Sequence, residues 1–148
     1  MTSQADLATL SIATLASAVK SGELSPVTLT EHMLERARHL NPALKAFNTI
    51  TGENALERAA AAEAEIHQGN YRGPLHGIPV GLKDLLYTRG IQTTVSSKIH
   101  ENWIPDRNAT VVDKLEAAGA ISLGKLNMTE FALSGYHPDY DAPINPWN

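Results

Sequence analysis

Up to about residue 70, apolar residues recur at helical spacing; beyond it they gather into short, nearly continuous runs. Ser11 stands before a stripe of Ile12, Leu15 and Val19 that stops at Gly22. This predicts a short amphipathic helix, with a side-chain cap at its start and glycine at its end. Ser25-Pro26 opens a second helix with proline at its first position, and Leu29, Met33, Ala37 and Leu40 supply its apolar stripe. Asn41-Pro42 is expected to stop it, since a residue before proline is pushed out of the helical region. Ala46 to Ile50 reads as a short strand. A third, alanine-rich helix is predicted from about Glu53 to Gln68, closed by Gly69.

From Tyr71 the pattern changes. Ile78 to Leu82 is almost wholly apolar, as expected for a strand covered on both faces. Asn108 is placed to cap a helix over 109–118 that buries Val111, Val112, Leu115 and Ala118 and ends at Gly119, and Ala120 to Leu123 follows as another strand. Asn127 with Glu130 is expected to form a capping pair for a short helix reaching Leu133. Strand, crossover helix and strand predict an α/β fold: a mixed or parallel sheet with helices on its faces, preceded by the Ala-rich helical segment. We expect residues 1–148 to be part of one domain, with 1–70 its helical segment and 71–148 the start of its α/β core.

Composition narrows the class without naming a function. The 148 residues are 43% hydrophobic and 19% charged, ordinary for a globular chain long enough to bury a real core. The net charge of −4 argues against binding nucleic acid or an anionic membrane. Without cysteine there is no disulfide, thiol nucleophile or thiolate metal site. No leader-like apolar stretch and no run of membrane-spanning length are visible, so the default expectation is a cytoplasmic protein. The six histidines show no ligand spacing, so no metal site is expected.

Lys83 is the first candidate for chemistry. It follows Ile78, Val80 and Leu82 and precedes Leu85 and Leu86. A lysine in such surroundings loses hydration, which disfavours its charged form and suits an amine that accepts protons. The competing readings are an edge-strand lysine that discourages sheet pairing, or one whose head reaches water. Lys125, after a second apolar strand, competes with it on local grounds. Ser17-Ala-Val-Lys20 matches a Ser-x-x-Lys pattern, but its Ser-Asp-Asn and Lys-Thr-Gly companions are absent. Ser96-Ser97-Lys98 holds suggestive residue types, yet three consecutive side chains diverge, so a solvated loop is expected there. His76 is read as a hydrogen-bonded structural histidine.

Five segments then carry a resemblance. They are Gly-Pro-Leu-His-Gly-Ile-Pro-Val-Gly-Leu-Lys-Asp (73–84), Arg-Gly-Ile-Gln-Thr-Thr (89–94), Ala-Thr-Val-Val-Asp-Lys-Leu-Glu-Ala-Ala-Gly-Ala (109–120), Leu-Gly-Lys-Leu-Asn-Met-Thr-Glu-Phe-Ala (123–132) and Asn-Pro-Trp (145–147). In this order and spacing the chain resembles the amidase signature family. The resemblance implies that Lys83 is the lysine of a Ser–Ser–Lys triad, and that Ala132, Leu133 and Ser134 line the substrate pocket. In the family, Asn-Pro-Trp leads into a Gly/Ser-rich segment that supplies both serines and the oxyanion-hole amides. The chain is therefore expected to be an amino-terminal portion of such an enzyme, inactive alone.

The implied activity is cleavage of a carboxamide C–N bond in a small-molecule substrate, with no cofactor and no membrane partner, and with a homo-oligomer left open. The alternative within the family is the amidase-type subunit of the glutamyl-tRNA(Gln) amidotransferase, the one case in which a nucleic acid would be involved. The alternative outside enzymology is a non-catalytic remnant.

Overall fold

The computed structural model describes residues 4–133 and 135–147. After a helical turn at Gln4–Thr9 come helix α1 (Ile12–Ser21), helix α2 (Pro26–Leu44), strand β1 (Phe47–Ile50) and helix α3 (Gly52–His67). Strand β2 (Pro79–Lys83), helix α4 (Thr110–Ala117) and strand β3 (Ile121–Leu126) follow, with short helical turns at Lys98–His100 and Glu130–Ala132. The strands form one sheet in the order β1-β3-β2. β1 runs antiparallel to β3, with Phe47 opposite Leu126 and Ile50 opposite Gly124. β2 runs parallel to β3, since Ile121 N donates to Ile78 O and Asp84 N to Leu126 O. The fold is thus α/β with a mixed three-stranded sheet, as the alternation of elements predicts.

Two compact units are distinguished. The first comprises the residues up to Arg36, Thr51–Val80 and Leu115–Leu123; the second comprises Ala37–Ile50, Gly81–Lys114 and Gly124 onward. In the first, Leu7, Leu15, Ala16, Val19, Leu29 and Ile78 form the apolar core, with Leu10, Leu24, Met33 and Ile66 against its margin. The expected cap of α1 is present: Ser11 Oγ accepts from Thr14 N, and Gly22 adopts φ 78° while its N–H donates to Val19 O. Ile12, expected on the buried stripe, is instead exposed, while Leu15 and Val19 are buried.

Other expectations are corrected. Asn41-Pro42 does not stop α2, which continues to Leu44. Proline removes one amide donor, but so close to the helix end only a single bond is lost, and Lys45 N still closes the last turn on Asn41 O. Asn41 then turns the chain into β1, its side chain accepting from Phe47 N and donating to Phe47 O. Val111 is exposed while Val112 is buried, so α4 presents a narrower apolar face than its sequence implied. Asn127 and Glu130 do not form a capping pair. The turn they flank has left-handed residues at Phe131 (φ 50°) and Ala132 (φ 58°), and both side chains are engaged elsewhere.

Candidate active site

The second unit holds the candidate chemistry, and simple strand alternation arranges it. From Gly81 to Leu85 the side chains alternate strictly between outside and inside: Leu82 and Asp84 are buried, Lys83 and Leu85 exposed. Lys83 is therefore not sunk in an apolar interior, as its neighbours implied; its amine stands in the open at the carboxyl end of β2. β2 is one-sided along this stretch rather than covered on both faces.

Beneath it lies a polar cluster that local sequence did not announce. Asp84 is fully buried, and its Oδ2 accepts from Asn48 Nδ2 (3.0 Å), Thr94 N (3.1 Å) and Thr94 Oγ1 (2.6 Å). Its other oxygen, Oδ1, lies 3.5 Å from Lys125 Nζ. Lys125 is fully buried in β3, where Nζ donates to Leu86 O (2.6 Å) and Thr93 Oγ1 (2.7 Å). Burial lowers the pKa of this ammonium, and the Asp84 carboxylate opposes that shift. The environment expected for Lys83 is the one Lys125 occupies, and Lys125 reaches the face opposite to Lys83.

The surrounding loop extends the cluster. Ser96 Oγ bonds to Asn48 Nδ2 (2.9 Å) and Asn127 Oδ1 (3.2 Å), while Ser97 Oγ donates to Glu130 Oε1 (2.6 Å). Ser96 and Ser97 are fully buried, not part of a solvated loop; Lys98 alone of that triplet is exposed, paired with Glu101 and Asp139. Val95 and Ser96 both take positive φ (57° and 49°), and Val95 O accepts from Phe131 N, which stitches this turn to the other left-handed one. Two left-handed turns built without glycine are costly and persist only where bonds such as these over-determine them. Asn127 further donates to Lys45 O and Asp141 O.

Of the residues assigned to the substrate pocket, Ala132 and Leu133 are exposed on the turn after β3. Ser134 lies outside the described residues. Asp84, Thr93, Thr94, Ser96 and Asn127 were missed as members of the site. The available signal was the pair of Lys-containing strand ends, Leu-Lys-Asp and Gly-Lys-Leu-Asn, on what prove to be neighbouring strands.

In the first unit His76 is structural, as expected. It is buried, Nδ1 accepts from Arg72 N (3.2 Å), and Nε2 lies 3.2 Å from Glu65 Oε2. Burial pushes its pKa below the ordinary value, Arg72 adds to the shift, and Glu65 opposes it. Gly119, at φ 83°, packs so closely on the His76 ring that a Cβ there would collide with it. Among the described residues no group of three or more His, Cys, Asp or Glu side chains is placed to hold a metal ion, and no helix is long and apolar enough to cross a membrane.

Comparison with known proteins meets this geometry from another side. Residues 28–148 match the family model described as Amidase. A glutamyl-tRNA(Gln) amidotransferase subunit of Dehalococcoides mccartyi is 49% identical over 145 residues, covering 97% of this chain and 30% of that protein. AmiD of Mycobacterium tuberculosis is 42% identical over 139 residues, covering 94% and 29%. Among solved structures, the native peptide amidase of Stenotrophomonas maltophilia superposes with a TM-score of 0.77 at 37% identity, covering 81% of this chain and 25% of that one. The chain thus spans less than a third of the length of these relatives. With the family model matched over most of its residues, the chain belongs to the amidase family.

Proposed function

We propose that these residues are part of an amide hydrolase in which Lys83 is the terminal proton acceptor of a Ser–Ser–Lys relay. The observation that carries this reading is the match of residues 28–148 to the amidase family, which includes the Leu-Lys-Asp strand end. The geometry is consistent with it. Lys83 offers an unobstructed amine from a strand end, whereas Lys125 Nζ is enclosed by Leu86 O, Thr93 and Asp84, where no substrate can reach it.

In the proposed reaction, uncharged Lys83 takes a proton from a bridging serine. That serine takes one from the nucleophilic serine as it attacks the substrate carbonyl. Backbone N–H groups hold the developing oxyanion, and the relay returns a proton to the departing amine. Both serines and the oxyanion donors would come from outside the residues described. Ala132, Leu133 and Ser134 are proposed to line the acyl pocket, and the exposure of the first two leaves them available for that contact.

The test is ammonia release from small carboxamides by the full-length enzyme. Lys83→Ala is expected to lower kcat by about 10²–10⁴-fold, the range spanned by a lost general base. Turnover unchanged by that substitution would remove the proposal.

The 49% identity to an amidotransferase component supports a second reading, in which the same relay liberates ammonia for transfer onto a charged tRNA. Its discriminating assay is tRNA-dependent amide formation after co-purification with partner proteins. Efficient hydrolysis of free carboxamides by the isolated enzyme, without partners, decides for the first reading.

A further inference from the structure

We propose, resting on the reading of Lys83 as the base, that the buried Asp84–Lys125 pair is the positioning device of that base. The contacts on either side of Lys83 carry the argument. Immediately after it, Asp84 N donates to Leu126 O, which ties the strand end to β3. The Lys83 carbonyl accepts from Leu86 N (2.9 Å), which forms a turn over 83–86. The carbonyl that ends this turn, Leu86 O, is gripped by Lys125 Nζ at 2.6 Å. Asp84 meanwhile anchors the 93–94 loop through Thr94 and strand β1 through Asn48. Lys83 thus points outward from a segment whose inward contacts, through the Asp84 carboxylate and Leu86 O, run into the pair.

A side chain as flexible as lysine is held to a reactive geometry only if its backbone is fixed, and small displacements of catalytic groups are costly. The pair supplies that fixing from the face opposite to the chemistry, so it can bind nothing and still govern rate. It is also electrically balanced. Its direct partners, Asn48 from β1 and Leu86 O, Thr93 and Thr94 from the 86–94 loop, are neutral, so Asp84 and Lys125 are the charges in direct contact and offset each other, with the Glu130 carboxylate further out on Ser97. Removing one exposes Lys83, a single residue away, to an unbalanced buried charge.

This gives a test with a sign. In the full-length enzyme, Asp84→Asn leaves the Lys125 ammonium unopposed, and the acid limb of the kcat/KM pH profile is expected to move to lower pH by about one unit. Lys125→Met leaves the carboxylate, and the limb is expected to move the other way. The double variant is expected to return it toward the parent position. Thr94→Val removes a hydrogen bond without changing charge; it is expected to lower kcat severalfold while leaving KM and the limb in place. A parental profile and kcat in Asp84→Asn and Thr94→Val would overturn the proposal. So would losses in both single-charge variants with the limb unmoved, because these mark general damage. If a single-charge variant does not fold, Thr94→Val and the double variant decide: parental kcat in Thr94→Val, or a shifted limb in the double variant, overturns the proposal. Lys83→Ala, run in parallel, separates the two layers. Activity in Lys83→Ala removes the base assignment itself, whereas an inactive Lys83→Ala beside unaffected pair variants removes the positioning role alone.

Discussion

Lys83 and Lys125 sit at corresponding ends of neighbouring parallel strands, yet one is in solvent and the other fully buried. Their apolar neighbours read alike, and what separates them is the strand face. Face assignment needs the partner strand, so sequence alone could not rank the two for burial. Asp84 resolves it by turning inward to meet Lys125. A buried pair is weak evidence of net stability, but breaking one leaves an uncompensated charge. Lys125→Met is therefore expected to destabilise the fold by about 3–5 kcal/mol, with part of the loss recovered by adding Asp84→Asn. Denaturant melts of the single and double variants check this; additive losses would show that the two side chains do not act as a pair. His76 makes a different residue-scale prediction. Its folded pKa lies below the ordinary 6.5, so the unfolded chain takes up the proton first as pH drops. The associated stability is complete above pH 6.5 and is lost as pH falls from there toward the depressed value. Melting temperatures should decline over that window, and less steeply in His76→Gln. Equal slopes in the two proteins would place the acid sensitivity elsewhere.

At the scale of elements, the signals that worked were local and chemical. Ser11 and Gly22 bound α1 as read, because a capping hydroxyl and a left-handed glycine each satisfy helix-end groups without tertiary help. The signals that failed depended on partners. Pro42 was read as a stop but falls where only one helix bond remains to be lost. In the run Thr93-Thr94-Val95-Ser96-Ser97, the two serines were read with Lys98 as a solvated loop because three consecutive side chains diverge. Each of its hydroxyls is instead used on Asp84, Lys125, Asn127, Glu130 or the loop's own backbone, and polar groups bonded in this way can be buried without penalty. Gly124, in the middle of β3, was not singled out. At φ 146° its α-carbon faces β1 so closely that an added Cβ would strike Thr49 O. Gly124→Ala should pry β1 from β3 and cost about 2–3 kcal/mol. Hydrogen exchange at Phe47–Ile50 would report it as faster opening of those amides, and unchanged protection would show that the strands tolerate the extra atom.

For the molecule as a whole, the α/β class and the mixed sheet were legible from the alternation of elements, and the family was legible from five spaced segments. The cluster beneath Lys83 was not, because it joins residues from position 48 to position 127 that no local pattern connects. The central claim is that the amine of Lys83 works as a base rather than as a fixed positive charge. Lys83→Arg in the full-length enzyme distinguishes these directly, since guanidinium keeps the charge and does not deprotonate in proteins. The measurement is the single-turnover rate of acyl-enzyme formation on a small carboxamide. A base at this position predicts that Lys83→Arg falls by about 10²–10⁴-fold, the range predicted for Lys83→Ala. A Lys83→Arg enzyme that acylates near the parental rate would contradict it.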